Sequence, residues 1–458
     1  MYSSTRVVIC GAGPSGLSQL HAFESARQRG IQIPEIVCFE KQNDLGGQWN
    51  STWRTGFDEY SEPIHSSMYP NLWINLPKEC TEFVDYSFDK HFGQSFTSFP
   101  PRTVMYDYIR GYAKQNNVRQ YIQFNTVVRW ISYSKDTKRF NVLVKDLCKD
   151  KTRSEEFDYV IVATGHFSMP NIPHFDGIET FHGRILHSHD FRSAQEFRDK
   201  NVLLIGNGNS AIDIALQLYK YGAKSITLSY RTKATNFKWP DEIKEVPLLV
   251  KIDRDIIYFK DDSFQEFQAI IYCTGYLHYF SFLDDDLRLN TTNFIYPSNL
   301  YKAIFWLNQP RLLYLGIQRL TFSFNIGNVQ AWYARDVILG KINVPSTKEE
   351  MQADIVLWKN KGKKVQNFSD YIHFQKEYIL NLIETTDYPR FDIHRMVEIL
   401  LENVKSKFEN ILTYREKTYA STFTNTMAKQ HHTPWLNEMD DRLENFIRKQ
   451  ISFIENIW

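Results

Sequence analysis

The stretch Val7-Val8-Ile9-Cys10-Gly11-Ala12-Gly13-Pro14-Ser15-Gly16 joins a short apolar run directly to a Gly-x-Gly-x-x-Gly fingerprint. The run has the composition of a buried parallel strand, and the residues after it predict a helix from Pro14 to about Arg29. Between such a strand and helix, the first glycine permits a tight turn, the second lets a pyrophosphate approach the backbone, and the third lets helix and strand pack closely. The stretch therefore predicts a βαβ unit that binds a dinucleotide at the start of its first helix.

An acidic residue at the end of the next strand supports this prediction. Glu40 directly follows the apolar run Ile36-Val37-Cys38-Phe39. A carboxylate in this place can accept hydrogen bonds from the hydroxyls of a ribose. The first unit is therefore expected to hold a nucleotide whose ribose carries no extra phosphate.

A second fingerprint, Gly206-Asn207-Gly208-Asn209-Ser210-Ala211, follows the apolar run 202–205, and Ala211 replaces its third glycine. The second strand of this unit ends at Arg231, where NAD-binding units carry their acid. A cation there favours the extra phosphate of NADPH, because a charge-assisted hydrogen bond contributes about 1.5–3 kcal/mol. The second unit is therefore predicted to prefer NADPH over NADH.

Short β-branched runs alternate with helical segments along the chain, which is typical of an α/β protein. The two fingerprints predict two dinucleotide-binding, Rossmann-like domains, of which the second is inserted in the first. Residues 1–168 and 279–458 are predicted to form the two parts of the first domain, with a helical C-terminal region. Residues 169–278 are predicted to form the inserted domain.

The composition excludes several classes of partner. The chain has 458 residues, 43% of them apolar and 23% charged, and a net charge of +1. So small a charge does not recruit nucleic acid or an anionic membrane, and no apolar run is long enough to span a membrane. The first strand begins too early for a cleavable signal peptide, and five scattered cysteines fit a reducing compartment, so a cytoplasmic location is expected. The adjacent His431 and His432 are expected to point apart without further ligands nearby, so no metal site is expected.

A rarer pattern, Phe181-x-Gly183-x-x-x-His187-x-x-x-Phe191-Arg192, lies between the two fingerprints. It is similar to the identifying sequence of the flavin-containing monooxygenases, and within that family the chain looks most like the bacterial trimethylamine monooxygenases. The resemblance covers nearly the full length and includes Gly46-Gly47-Gln48-Trp49-Asn50, His65-Ser66-Ser67-Met68-Tyr69, Pro77-Lys78-Glu79-Cys80, Phe237-Lys238-Trp239-Pro240, Gln330-Ala331-Trp332-Tyr333-Ala334-Arg335-Asp336 and His431-His432-Thr433-Pro434-Trp435.

The resemblance implies a reaction cycle. FAD would occupy the first unit, and NADPH in the second would reduce it. Dioxygen would then give a flavin C4a-hydroperoxide, which oxygenates a soft nitrogen or sulfur of a small molecule, such as a trimethylamine-like amine or a dimethyl sulfide-like sulfide. Such a peroxide survives only where water is excluded. A homodimer is also implied.

The candidate site residues follow from the motifs and from the resemblance. The resemblance implies that Asn75 is the candidate catalytic residue, because the family has an asparagine near the flavin that steers NADP and the hydroperoxide. Its amide can donate and accept hydrogen bonds without titrating, which suits this role, and a loop-capping role is the alternative. His187 is instead expected to order the segment between the domains by hydrogen bonding. The candidate cofactor-binding residues are Gly11, Gly13, Pro14, Ser15, Gly16, Glu40, Lys41, Gln42, Gln48, Trp49, His65, Trp73, Asn75, Val128, Thr164, Gly206, Gly208, Asn209, Ser210, Arg231, Thr232, Gln318 and Thr321.

Two departures from the family leave alternatives open. Asn209 stands where the bacterial enzymes have a tyrosine, and Arg319 and Thr321 stand where they have an acid and a tryptophan that bind the amine. A missing aromatic wall removes about 0.5–2 kcal/mol of cation–π attraction, so a neutral sulfide, a larger amine and an acidic substrate stay open beside trimethylamine. An uncoupled NADPH oxidase that produces hydrogen peroxide and a non-catalytic redox sensor are the alternatives to an oxygenase. A Baeyer–Villiger monooxygenase fits less well, because the motif ends in Phe191-Arg192.

Overall fold

The computed structural model describes residues 5–291, 295–319 and 321–455. Its largest sheet has seven strands. In spatial order they are β16 (Leu300–Tyr301), β17 (Phe305–Trp306), β18 (Leu312–Tyr314), β7 (Tyr159–Val162), β1 (Arg6–Cys10), β2 (Glu35–Phe39) and β3 (Ile122–Gln123).

Strand β1 lies inside this sheet, between two strands that run parallel to it. Val8 is paired with Val37 of β2 on one side and with Val160 of β7 on the other. Val7, Val8 and Ile9 are fully buried, because helices or strands cover both faces of the sheet here. The first fingerprint therefore begins at the carboxyl end of an interior parallel strand, which is where α/β sheets bind ligands.

A second sheet has five strands, all parallel. In spatial order they are β11 (Ile243–Pro247), β10 (Ser225–Tyr230), β9 (Asn201–Ile205), β15 (Ala269–Tyr272) and β8 (Arg184–His187). The second fingerprint follows β9 directly, as the sequence predicted.

The order of the strands shows how the two units are connected. In the first sheet β7 is paired in parallel with β18, although every strand of the second sheet lies between them in the sequence. The second unit is therefore inserted in the first, and the predicted α/β class with two Rossmann-like units is confirmed. The boundaries at 168 and 278 stay predictions, and the chain ends 1–4 and 456–458 lie outside the described residues.

Two small antiparallel sheets complete the β structure. One comprises β4 (Thr126–Ser134), β5 (Arg139–Asp146) and β6 (Lys151–Phe157), and the other β12 (Leu249–Asp253), β13 (Ile256–Phe259) and β14 (Phe264–Glu266). Strands such as β6 and β14 escaped notice because they are largely exposed and polar, so they lack an apolar pattern.

The helices lie mainly against the first sheet and in the C-terminal third. They are α1 (Pro14–Gln28), α2 (Phe88–Phe92), α3 (Arg102–Gln115), α4 (Asn209–Lys220), α5 (Ser323–Ile338), α6 (Lys348–Gly362), α7 (Phe368–Ile383), α8 (Ile393–Glu409) and α9 (Leu443–Glu455). Helix α5 packs on α1, where Gln19 Nε2 donates to the carbonyl of Ala331 at 3.2 Å. Across the described ranges, none of the helices combines the length and the apolar character needed to cross a bilayer.

Candidate cofactor sites

The first fingerprint forms a tight loop between β1 and α1. Gly11 has φ +100°, and a Cβ atom on Gly16 would lie 1.9 Å from the Gly11 carbonyl oxygen. Gly13 precedes the first helical residue, Pro14, and no side chain caps the helix there. The free N–H groups of the first turn and the positive end of the helix dipole can therefore receive an anionic group.

Glu40 braces this loop from the end of β2. Its Oε2 accepts the N–H of Ala12 at 2.7 Å, and its Oε1 accepts the N–H of Gln42 at 2.8 Å. Burial raises the pKa of the Glu40 carboxyl, and these two backbone N–H groups act in the opposite direction. Each oxygen keeps a further lone pair, so the carboxylate can also accept hydrogen bonds from ribose hydroxyls.

The segment around Gln48 joins three parts of the first unit. Gln48 Nε2 donates to the carbonyls of His65 and Phe167, both at 2.9 Å, and its Oε1 accepts the N–H of Ser67 at 2.9 Å. The neighbouring Trp49 contacts the ring of Phe324 edge to face at 6.2 Å between centroids. The Gln48 amide therefore acts on the protein itself and fixes the segments that border the fingerprint.

A cavity of about 330 Å³ opens beside these segments. Its lining includes the candidate residues Lys41, Gln42 and His65, together with Thr52 and Arg54. Burial, assisted by the positive charge of Lys41, lowers the pKa of His65 to about 3. Burial also lowers the pKa of Lys41, whose Nζ donates to the carbonyl of Pro63. The cavity is thus polar and presents a neutral imidazole, which suits the sugar and phosphate parts of a nucleotide.

The loops that carry Thr164 and Gln318 lie close to the first fingerprint, and Ser15 of the fingerprint itself borders the second of these loops. A Cβ atom on Gly316 would lie 2.7 Å from Ser15 Oγ, and one on Gly11 would lie 3.3 Å from Thr164 Cα. Gln318 Oε1 accepts a hydrogen bond from Gln330 Nε2 at 3.0 Å in the core. The structure therefore brings the loop after β7 and the loop after β18 to the same edge of the sheet as the fingerprint.

Three further candidate residues are placed mainly by packing. Val128 is paired with Val144 in the antiparallel sheet of β4 to β6. The N–H of Thr321 donates to Gln375 Oε1 at 2.9 Å. Trp73 is 1% exposed, and its ring lies 4.4 Å from that of His431. These contacts are with protein groups, so the proposed contacts of the three residues with a cofactor stay predictions.

Asn75 is half-buried in the loop that follows Trp73. Asn403 Nδ2 donates to its carbonyl oxygen at 3.5 Å. Arg415 Nε donates to the carbonyl oxygen of Ile74 at 3.3 Å. Within the described part of the chain, no hydrogen bond is seen for the Asn75 side-chain amide. The backbone is therefore held while the amide keeps its capacity for a ligand.

The second fingerprint has the same geometry as the first. Gly206 has φ +113°, and a Cβ atom there would lie 2.5 Å from the carbonyl oxygen of Cys273. Gly208 precedes α4 without a side-chain cap, and a Cβ atom on it would meet open space. Asn209 and Ser210 form the exposed first turn. The start of α4 is thus a second uncapped helix N-terminus that faces solvent.

Arg231 and Thr232 lie just beyond the carboxyl end of β10, and both are exposed. Among the residues that the structure covers, no carboxylate forms an ion pair with Arg231. Asn207 Nδ2 holds the neighbouring turn by donating to the carbonyl of Lys233 at 2.8 Å. The guanidinium can therefore meet an additional phosphate near the start of α4.

The pattern between the fingerprints connects the two units. His187 Nδ1 accepts the N–H of His189 at 3.0 Å, and its Nε2 lies 3.1 Å from the carbonyl of Gly275, which confirms its ordering role. Arg192 donates to the carbonyls of Thr52, Arg54 and Ser66 at 2.8–3.1 Å. The last residue of the pattern thus fixes the segment that lines the cavity, a role that the sequence did not reveal.

Asp213, Arg415 and Tyr69 form a further cluster whose importance is not visible in the sequence. Asp213 and Arg415 form a buried ion pair, and Tyr69 donates to the same carboxylate. One signal was available, since Asp213 stands between the apolar residues Ile212 and Ile214, shortly after the second fingerprint. Its partners are distant in sequence, so no local pattern could identify them.

The histidines near the C-terminus differ from the expectation. The rings of His431 and His432 do not point apart but lie 4.3 Å from each other, and Glu438 joins them in a group whose ligand atoms lie within 4.8 Å of one another. Glu438 joins the histidines because the chain turns after Pro434, whose carbonyl oxygen accepts a hydrogen bond from the Glu438 N–H at 3.1 Å. Lys449 Nζ, however, already pairs with both oxygens of Glu438, at 3.0 and 3.1 Å. The expectation of no metal site stays a prediction.

The chain matches the family model of flavin-binding monooxygenase-like proteins over residues 4–238 and 243–400. It is 54% identical over 442 residues to the trimethylamine monooxygenase of Methylocella silvestris, which covers 96% of this chain and 98% of that protein. It is 50% identical over 445 residues to the trimethylamine monooxygenase of Pelagibacter ubique, and this match covers 97% of this chain and 100% of that protein. Its structure is similar to the crystal structure of Tmm from Pelagibacter sp. strain HTCC7211, with a TM-score of 0.94, 49% identity, and 96% and 100% of the two chains covered.

Proposed function

Since the chain belongs to the flavin-binding monooxygenase-like family, we propose that it oxygenates the nitrogen of trimethylamine to give the N-oxide. The predicted activity, that of an FAD- and NADPH-dependent, N-oxygenating monooxygenase, is confirmed. The identity of the substrate is the part that we propose. One observation supports it above all: about half of the residues, over nearly the whole length of the chain, are identical to those of proteins named trimethylamine monooxygenase.

We propose that the first unit holds FAD. Three features fit it: the uncapped start of α1, the carboxylate of Glu40 beside that start, and the polar cavity next to both. The pyrophosphate would meet the N–H groups after Gly13, and the ribose would meet Glu40. When bound, the flavin supplies the electron transfer and the activation of dioxygen that monooxygenation requires. The protein supplies position and excludes water.

We propose that the second unit, with boundaries near 169 and 278, holds NADPH. The uncapped and exposed start of α4 would receive the pyrophosphate, and Arg231 would pair with the additional phosphate. Arg231 has no carboxylate partner among the described residues, so no existing ion pair has to break when the phosphate binds.

Asn75 would orient the reacting groups near the flavin. Its backbone is held from both sides through Asn403 and Arg415, whereas its side-chain amide is left for the ligand. An amide can donate and accept at neutral pH without changing its charge. It would therefore hold a proton on a bound oxygen species without competing for that proton as a carboxylate would.

Two further proposals concern the state of the protein. We propose a homodimer, which light scattering of the purified holoenzyme would test. We also propose a cytoplasmic location, which fits four buried cysteines that form no disulfide, Cys10, Cys38, Cys80 and Cys273. Fractionation of cells that express the tagged protein would test this location.

The substrate is tested by NADPH consumption against a panel of amines and sulfides, with hydrogen peroxide measured in parallel. Trimethylamine should accelerate NADPH oxidation and suppress peroxide, and trimethylamine N-oxide should form in equal amount. Dimethyl sulfide is the neutral comparison probe, because it also carries methyl groups on a soft atom, two instead of three, and stays uncharged at neutral pH. A preference for the sulfide would contradict the proposed substrate. Peroxide formation with every compound would indicate an uncoupled oxidase, and failure of NADPH to reduce a bound flavin would contradict the function itself.

A further inference from the structure

Helix α4 is anchored to the first unit by a buried ion pair. Arg415 Nη2 donates to Asp213 Oδ1, and the two side chains are 2% and 10% exposed. Tyr69 Oη donates to the other oxygen, Asp213 Oδ2. Asp213 belongs to the inserted unit, whereas Arg415 and Tyr69 belong to the first. The carboxylate thus joins the two units at a point from which water is excluded.

The same arginine reaches the loop of the candidate catalytic residue. Arg415 Nε donates to the carbonyl of Ile74, the residue before Asn75, at 3.3 Å. Its guanidinium also lies over the rings of Tyr414 and Trp435, at 4.8 and 4.7 Å from their centroids. These rings fix the plane of the guanidinium, so its contacts with Asp213 and Ile74 are set together.

Further contacts hold α4 along its length. Gln217, one turn after Asp213, donates through Nε2 to the carbonyl of Asn71 at 2.6 Å. Lys220, at the end of the helix, donates through Nζ to the carbonyl of Trp435 at 2.6 Å. A helix that is held at three successive turns has little freedom to slide or to rotate. Its first turn, where the second fingerprint lies, therefore has a fixed position relative to the first unit.

Tyr69 extends the connection to the motif between the fingerprints. Its ring meets that of Phe191 edge to face at 4.9 Å, and its carbonyl accepts a hydrogen bond from Arg102 Nε at 2.9 Å. The Tyr69 side chain is therefore packed against the inserted unit, while its backbone is held by the first unit. Both partners of the Asp213 carboxylate, Arg415 and Tyr69, belong to the first unit.

A buried ion pair is seldom the best way to stabilise a fold, because removing two charges from water costs about as much as their attraction returns. Its geometry, in contrast, is strict, since a slip of the helix would leave both charges buried and unpaired. Such a pair suits a function that needs precise alignment. Transfer of a hydride between two bound nucleotides needs the reacting atoms about 3–3.5 Å apart.

We propose that Asp213 and Arg415 are positioning residues for the reduction of the flavin: together they set helix α4, and the nicotinamide nucleotide at its start, against the first unit. Through Ile74, Arg415 also positions Asn75. The inference rests on the proposed binding of FAD and NADPH by the two units.

The experiment compares single substitutions in the complete FAD-loaded enzyme. Asp213→Asn keeps the shape of the side chain and removes its charge, and Arg415→Gln removes the contacts with both Asp213 and Ile74. Asp354→Asn is the matched control, because Asp354 forms a similarly shielded pair with Lys302 at 2.7 Å, away from α4. Anaerobic stopped-flow at saturating NADPH gives the rate of reduction per bound flavin, and turnover with trimethylamine gives the fraction of NADPH lost as peroxide.

We expect Asp213→Asn to slow reduction about tenfold, because misplacement by a fraction of an ångström has effects of this order. Arg415→Gln should slow reduction similarly and also raise the peroxide fraction, because it releases the peptide before Asn75. The control should reduce at the wild-type rate. The double variant Asp213→Asn/Arg415→Gln should lose much less than the product of the two single losses, since neither charge is then left unpaired.

Rates per bound flavin that match the wild type in both single variants would overturn the inference, even if the variants melt earlier, because a purely structural pair changes stability alone. If Arg415→Gln does not fold, Asp213→Asn and Tyr69→Phe decide the question, and wild-type rates in both would overturn it. A wild-type enzyme that NADPH does not reduce would contradict the proposed function instead. A wild type that NADPH reduces but trimethylamine does not accelerate would contradict only the substrate.

Discussion

A Cβ atom on Gly16 would lie 1.9 Å from the carbonyl oxygen of Gly11, well inside van der Waals contact. The obstacle is backbone, because Gly11 lies in the tight loop after the central strand and Gly16 lies in the first turn of α1, so neither can move aside. Gly208 in the second fingerprint has the opposite surroundings, because a Cβ atom there meets nothing within 4 Å. We therefore expect alanine to have different effects at these two glycines.

Gly16→Ala should yield a protein that is poorly folded or free of flavin, since overpacking against backbone costs about 1–3 kcal/mol or more and displaces the loop that would meet the pyrophosphate. Gly208→Ala should fold and keep FAD but show a raised KM for NADPH, because the added methyl group would occupy the space through which the pyrophosphate of NADPH passes. Flavin absorbance per protein and steady-state kinetics measure both. A Gly16→Ala enzyme with full flavin content would contradict the expected packing.

Arg231→Ala should reduce the preference for NADPH over NADH. The loss of a charge-assisted hydrogen bond of about 1.5–3 kcal/mol corresponds to roughly 10- to 150-fold in the ratio of kcat/KM for the two nucleotides. Arg254→Ala is a suitable control, since Arg254 is an exposed arginine of the same unit whose side chain is 75% exposed. An unchanged ratio in Arg231→Ala would assign the additional phosphate to another residue.

Asn75→Ala should uncouple NADPH oxidation from product formation. The backbone contacts of this loop go to carbonyl oxygens, so they survive the substitution and the loop should stay in place. Flavin reduction should therefore remain close to that of the wild type, while most of the NADPH consumed with trimethylamine ends as hydrogen peroxide. If this variant forms one N-oxide per NADPH consumed, Asn75 has no role in coupling.

The stability of the protein should fall as the pH decreases below about 6.5, the pKa of an unfolded histidine. Burial, with the nearby ring of His278, lowers the pKa of His166 to about 3. Between these values the unfolded chain binds a proton that the folded protein does not. The free energy of unfolding then decreases by about 1.4 kcal/mol per pH unit for this group.

His166→Asn should therefore flatten the dependence of unfolding on pH, relative to the wild type, between about pH 6 and pH 4. Urea midpoints measured across this range report it. His182→Asn provides the control, because His182 has a 68% exposed side chain. Parallel curves for the wild type and His166→Asn would show that His166 takes up its proton in the folded state too.

The sequence alone reached the α/β class, both fingerprints and the helix from Pro14, because each of these rests on contacts between near neighbours in the chain. It did not reach α3, α5 or the strands from 300 to 314. Most residues of α5 are buried on every side, which removes the alternation of apolar and polar faces by which a helix is recognised. Strands of two or three residues carry too little pattern to be seen.

The residues of the candidate site also fall into two groups, those that local sequence patterns reveal and those that only the tertiary structure brings together. Gly11, Gly206, Glu40 and Arg231 are local signals, since a fixed number of residues separates each from its strand, and the physics of a helix start needs no distant partner. The pairing of Asp213 with Arg415 joins residues 202 positions apart. The hydrogen bond from Arg192 to the carbonyl of Ser66 joins residues 126 positions apart. Such contacts depend on how two folded units dock, and that depends on side chains that become neighbours only in the tertiary structure.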